Sequence, residues 1–184
     1  AACYLTHSTI EILSDLRSEA GLTPDQIDTV ELSVDPGHLK VCNIPEPDTG
    51  LEVKFSLRHT AAFALAGQDT AGIDSYSDVN ARAPELVALR RKVTVTDDGG
   101  PSTLAMARIS LHDGQTLERS FDVGIPATDV AAQGLKIDAK FRALAVPLLG
   151  KAAAEALLAD LHNLENLDNA GQLMTHLAAW RAGE

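Results

Sequence analysis

A chain of 184 residues, 45% of them hydrophobic and 22% charged, is long enough for a domain with its own core and too mixed for a fibrous or disordered protein. Its net charge of −11 argues against nucleic acid and against anionic membrane surfaces as partners. No apolar run reaches the length of a membrane span, no basic segment leads into an apolar one as in a signal peptide, and two cysteines make no disulfide framework, so free thiols in a reducing cytoplasm are expected. The chain lacks an initiator Met and enters a motif at once, as a segment cut from something longer would.

In chain order, Thr6 to Ala20 reads as a helix, with Ile10, Leu13 and Leu16 as its apolar stripe and Gly21 as its stop. Thr23-Pro24-Asp25 has the form of a cap followed by Pro at the first helical position. Thr29 to Val34 alternates and predicts a half-buried strand, ended by Asp35-Pro36-Gly37. A helical turn is expected in the short stretch from His38 to Asn43.

The segment Pro45 to Gly67 organises the middle of the chain. Pro45 and Pro47 hold its entry extended, Thr49 can cap a helix, and Gly67 can end one. Leu51, Val53, Phe55 and Leu57 alternate with polar residues as a strand would, whereas Phe55, Ala62, Phe63 and Ala66 fit a helical face. The reading taken is a helix with an unsettled first turn. Beyond a polar connection, Ser77 to Asn80 and Ala83 to Arg91 read as helices, and Val93 to Thr96 as a β-branched strand. Thr103 to Leu111 and Gln115 to Asp122, joined at Asp113-Gly114, predict a hairpin. Leu135 to Leu149, Ala152 to His162 and Gly171 to Ala182 are helical, Pro147 is placed to kink the first of them, and Ile137, Phe141, Leu144 and Leu148 are spaced for one buried face. Strands in the middle with helices at both ends give an α+β class: one domain over residues 1–184, with an antiparallel sheet of about four strands and helices on one face.

The order Cys-x-x-Pro-x-Pro-x-Thr-x-Leu-Glu-x-Lys-Phe-Ser from Cys42 to Ser56 resembles the signature of the MmgE/PrpD family, whose members include 2-methylcitrate dehydratase, cis-aconitate decarboxylase and iminodisuccinate epimerase. CYLTHS at Cys3 to Ser8, GLTPDQIDTVEL at Gly21 to Leu32 and DAKFRALA at Asp138 to Ala145 agree in order. The resemblance covers the C-terminal half of a family enzyme. It implies a lid domain that closes a substrate cleft against a separate helical N-terminal domain, a small di- or tricarboxylic acid as substrate, and a tendency to form homodimers.

Cys3, Thr6 and His7 precede the first helix. Taken alone, Cys3 reads as a small buried hydrophobe and Thr6 or His7 as a cap. The resemblance turns this segment toward the substrate, with His7 and Cys3 as catalytic candidates and Thr6 as a substrate contact. Cys3 stands where the decarboxylase branch has an active-site histidine, a departure that weighs against decarboxylation. The lysine that family members carry shortly upstream would fall before Ala1.

Lys54, Ser56, Arg58 and His59 form a second cluster. They can make a basic pocket for a carboxylic acid inside an acidic protein, or a solvated face on which Glu52 pairs with Lys54 or Arg58. Lys140 and Arg142 read as solvated cations around a core Phe141. His38, His112, His162 and His176 read as surface or satisfied core histidines, and Trp180 as a packing anchor.

No CxxC or HExxH spacing marks a metal site, and no Gly-rich phosphate loop or GxSxG elbow occurs, which is consistent with cofactor-free chemistry. The expectation is the lid of a 2-methylcitrate dehydratase-like lyase or epimerase, inert by itself. The rival is a non-catalytic interaction module that kept the lid fold. A metal-binding protein ranks far below both.

Overall fold

A computed structural model describes residues 1–181, and Trp180, whose expected anchoring role rests on its side chain, lies outside the described side chains, as does the expected helix end at Ala182. The chain divides into two compact units, residues 1–126 and 127–184.

The first unit opens with α1 (His7–Ala20), which presents Ile12, Leu13 and Leu16 to the core and ends where Gly21 adopts a left-handed φ of 61°. Strand β1 (Ile27–Ser33) follows a Thr23/Gln26 capping box. Helices α2 (Pro36–Leu39), α3 (Gly50–Val53), α4 (Leu57–Ala66), α5 (Asp78–Arg82) and α6 (Pro84–Arg90) come next, then β2 (Val93–Thr96), β3 (Leu104–Leu111) and β4 (Thr116–Asp122). The sheet order is β2-β1-β3-β4. Period-two alternation located β1, β3 and β4, β-branching located β2, and the hairpin turns at Asp113-Gly114, where Gly114 takes a φ of 88°.

The α+β class and the four strands agree with the expectation, while one of the three pairings differs in direction. β1 pairs antiparallel with β3 but parallel with β2, Val30 opposite Val93 and Leu32 opposite Val95. A parallel neighbour needs a long crossover, and residues 34–92 supply it with five helices.

The buried face of the sheet carries Val30, Leu32, Ala105, Ala107 and Ile109, packed against α1 and α4. The opposite face is polar and exposed, with Glu31, Met106, Arg108 and Glu118 among its residues. Ser8 ties α1 to the hairpin: its hydroxyl donates to the Thr103 carbonyl (2.5 Å) and accepts from the Val123 amide (3.2 Å).

The second unit contains α7 (Val130–Leu149), α8 (Lys151–His162) and α9 (Leu173–Arg181), joined by an ion pair of Arg142 with Glu155 and by hydrogen bonds from the His162 ring to Asp138 (2.8 Å) and from the His176 ring to Asp160 (2.7 Å). The face expected to be buried on α7 is not: Ile137 and Leu148 are exposed, Phe141 is half-buried, and among the described residues the enclosed apolar side chains of this unit are Ala154, Leu157 and Leu158, all on α8. Helical spacing shows that a stripe exists but not whether this chain covers it.

Gly50 fixes how α3 sits. A Cβ there would lie 1.9 Å from the Tyr76 carbonyl oxygen, and the Gly50 amide donates to Asp78. Gly50→Ala therefore forces backbone apart and is expected to lower stability by about 1–3 kcal/mol, read as a drop in the urea midpoint with the slope unchanged.

Candidate functional site

The Pro45–Gly67 stretch folds as two helices separated by a turn. Thr49 caps α3 through a reciprocal box: its hydroxyl accepts the Glu52 amide, and the Glu52 carboxylate accepts the Asp48 and Thr49 amides. Those two amide bonds hold the Glu52 carboxyl below the usual glutamate range. The helix stops at Val53 because Ser56 turns extended, pairs with Asn43 as an isolated bridge, and caps α4 by accepting the His59 amide. The Ala-rich face belongs to α4, while the alternation forms no strand: Leu51 and Val53 lie on α3, Phe55 in the three-residue break and Leu57 at the start of α4.

This break is where the N-terminal segment docks. The Cys3 amide donates to the Lys54 carbonyl (3.0 Å), and Ala2 packs against the cluster of Val53, Phe63, Tyr76, Ala81 and Leu86. The His7 ring folds back so that Nε2 donates to the Ala2 carbonyl (3.2 Å) and lies edge-on to Tyr4. Lys54 extends over the Tyr76 ring, its Nζ 5.6 Å from the centroid. Burial, and next the charge of Asp69, push the Tyr76 phenol up to about 12, so it stays protonated and donates to the Thr70 carbonyl. The segment Ala2–Cys3 thus brings His7 and Lys54, two of the expected site residues, into one neighbourhood. Tyr76 was missed, because a tyrosine in a polar connection carries no signal of what it will face.

The charge arrangement favours an anion. Glu52 is committed to the cap rather than to Lys54, and among the described residues no carboxylate pairs with Lys54. Three arginines elsewhere pair with carboxylates: Arg82 with Asp48, Arg119 with Glu19, and Arg142 with Glu155. Both half-buried, Lys54 and His7 are reachable from solvent.

The other expected site residues support this neighbourhood from within. Thr6 is fully enclosed, its hydroxyl donating to the Cys3 carbonyl (2.8 Å). Ser56 is also enclosed, donating to the Ile44 carbonyl (2.7 Å). Arg58 is half-buried and hydrogen-bonds Asn43. Cys3 is half-buried, and the thiol of the enclosed Cys42 is pushed up to about 12 by burial first and by Cys3 second.

His59 does not join a basic pocket. Helix α4 is buried almost all round, so His59 lies in the core, edge-on to Phe63, with Nε2 donating to the Asn80 carbonyl (3.2 Å) and Nδ1 unpartnered. Burial, and next the nearby Arg90 cation, bring it down to about 4, so it is neutral. Arg90 is itself enclosed, reaching the Pro47 carbonyl (3.4 Å) and Glu46 (3.9 Å) and so bracing the Pro-Glu-Pro turn. His38 is neither surface nor satisfied: it is buried with both ring nitrogens unpartnered. Among the described residues no cluster of His, Cys, Asp or Glu could hold a metal ion, and no helix is long and apolar enough to cross a membrane.

Residues 1–165 match the MmgE/PrpD C-terminal domain. The chain belongs to the MmgE/PrpD family. A comparison with curated proteins returned no match. The matched region of the MmgE/PrpD chain takes in all of the neighbourhood described above, from Ala2 to Asn80. It also contains the signature from Cys42 to Ser56, which can now be read physically. Its prolines and Thr-Glu pair build the turn and the cap, and its Lys-Phe-Ser is the break on which the N-terminal segment rests.

The depressed His59 ties stability to pH. The unfolded chain binds a proton near pH 6.5 that the folded chain refuses until about pH 4, so stability is full above 6.5 and is lost as pH falls through that window. Between pH 7 and pH 5 this contributes a loss of about 2 kcal/mol. His59→Phe is expected to flatten that part of the profile, measured by urea midpoints at the two pH values.

Proposed function

We propose that this chain is the lid of a cofactor-free lyase or epimerase of the MmgE/PrpD family, acting on a small di- or tricarboxylic acid in the manner of 2-methylcitrate dehydratase. The observation that carries the reading is Lys54, a cation without a carboxylate partner among the described residues, whose carbonyl anchors the N-terminal segment that also accepts the His7 ring, in a protein of net charge −11. Such a pair suits a carboxylate: the ammonium attracts it, and an imidazole can hold it or move a proton. Family chemistry begins with abstraction of a proton α to a carboxylate, and the developing enediolate needs nearby positive charge. Lys54 supplies that charge from the lid, His7 handles a proton or a substrate oxygen, and Cys3 and Arg58 flank them. Thr6 and Ser56 act through the backbone they fix.

In this reading the remaining catalytic groups belong to a helical N-terminal domain that packs on the lid, as in a cytoplasmic family enzyme built as a homodimer. Closure of the two domains excludes water and completes the site. The lid alone is folded and inert. A second reading, an interaction module without chemistry, is favoured by one observation: Thr6 and Ser56 are enclosed, which leaves few polar side chains open to a substrate.

The deciding experiment joins this chain to a family helical domain and assays 2-methylcitrate dehydration and cis-aconitate turnover. The expected result is no turnover by the 184-residue chain, activity in the joined protein, and a loss of about a hundredfold in His7→Ala and in Lys54→Ala. His162→Ala, remote in sequence and paired with Asp138, should leave the rate unchanged. Equal rates in all three variants would favour the module. Turnover by the chain alone, abolished by His7→Ala, would show the lid to be a complete enzyme.

A further inference from the structure

Tyr76 gathers several separate stretches of the first unit. Both ends of α3 meet it: a Cβ on Gly50 would lie 1.9 Å from the Tyr76 carbonyl oxygen, and the ammonium of Lys54, the C-cap, sits 5.6 Å from the centre of its ring. The Tyr76 hydroxyl donates to the Thr70 carbonyl (2.9 Å). That carbonyl also accepts from the Ala1 amino group (2.9 Å), at the start of the segment that reaches the Lys54 carbonyl through Cys3. The ring is enclosed and tilted against Phe63, centre to centre 5.5 Å, and Phe63 lies edge-on to the buried His59. Packing and the hydroxyl tether together leave this ring little freedom of its own.

We propose that Tyr76 is a positioning residue for Lys54: its ring face holds the ammonium where an anionic ligand meets it, and does so without neutralising the charge or occupying its N–H donors. The role rests on the anion reading of this site given above. A lysine that is loose in solvent gives up the rotamers of its long stem when it binds a ligand, and that loss weakens the complex. A carboxylate partner would hold the stem, but it would also cancel the charge and take the donors. Glu52, the nearest candidate in sequence, is bound to the amides of its own cap. An aromatic face attracts the cation through its quadrupole and leaves the N–H groups available to a ligand oxygen.

The two parts of the tyrosine do different work. The hydroxyl, through Thr70, sets where the ring stands, and the ring face holds the cation. Burial keeps the phenol protonated, so the ring stays neutral and adds no anion to compete for Lys54. Loss of the hydroxyl therefore leaves the seat of the ammonium in place, because Phe63 still packs against the ring. Loss of π-electron density from the face removes the hold while the packing stays.

The test titrates the 184-residue chain with citrate, a tricarboxylate probe, and follows by NMR the lysine ε-methylene signal that is missing in Lys54→Ala. In the wild type that signal should lie upfield of a solvated lysine, shielded by the Tyr76 ring, and citrate should move it. Tyr76→Phe should keep both the upfield position and the affinity. Mono-, di- and trifluorophenylalanine in place of Tyr76 keep the packing and drain the ring face, so citrate affinity should fall stepwise, by about fivefold over the series. A wild-type Lys54 signal at the solvated position overturns the proposal, and this measurement stands even where a variant fails to fold. Affinity that is lost in Lys54→Ala but level across the fluorinated series overturns the role of Tyr76 alone. Citrate that does not bind, or binds wild type and Lys54→Ala alike, overturns the anion reading and this role with it.

Discussion

One backbone hydrogen bond, from the Cys3 amide to the Lys54 carbonyl, holds the rest of the candidate site in register. That carbonyl is available because α3 ends at Val53: inside a continuous helix it would bond four residues ahead. The ending is imposed by Ser56, which leaves helical geometry to bridge Asn43 and to cap α4. With the break in place, the N-terminal segment lies across it, Ala2 packs against the cluster that contains Tyr76, and His7 folds back onto the Ala2 carbonyl. The position of each side chain in this neighbourhood thus traces back to a helix interrupted for three residues.

The same arrangement separates charge. An acidic protein gains an anion-attracting spot most simply by removing a local carboxylate from competition. Here Glu52 is next but one to Lys54 in sequence and is bound instead to two amides of its own cap. Two backbone hydrogen bonds to a carboxylate outweigh a surface ion pair, which contributes about 1 kcal/mol at most. The ammonium then rests on the Tyr76 ring, an attraction that leaves its hydrogens free for an oxygen ligand.

Much of the scaffold was legible in the sequence, and the reasons are local. Alternation and, for Val93 to Thr96, β-branching placed the strands, Asp113-Gly114 placed the hairpin, and Gly21 and Gly67 placed two helix ends through their left-handed φ. What was hidden depends on distant partners. The parallel pairing of β1 with β2 leaves no trace in either strand, because direction is set by the crossover between them. The cluster Lys54, Ser56, Arg58 and His59 read as one charged face. Its members separate because α4 is enclosed nearly all round, so that no polar face exists there to be read. The reverse holds for α7, where an apolar stripe is present and this chain does not bury it. His7 and Lys54 were both marked by sequence, but the link between them was not, since it runs through the backbone of Ala2 and Cys3 rather than through side-chain spacing.

The parallel β1–β2 pair carries a kinetic consequence. β2 can reach its place only after residues 34–92 have compacted, because a crossover must close before the two strands can register. Lys54, Ser56, Arg58, Tyr76 and Arg90 all lie inside that crossover. Completion of the sheet and assembly of the Lys54 neighbourhood are therefore one event in time. The antiparallel β3–β4 hairpin, closed by a tight turn, can form early and wait. A folding intermediate of this chain would hold a finished hairpin and an unmade site.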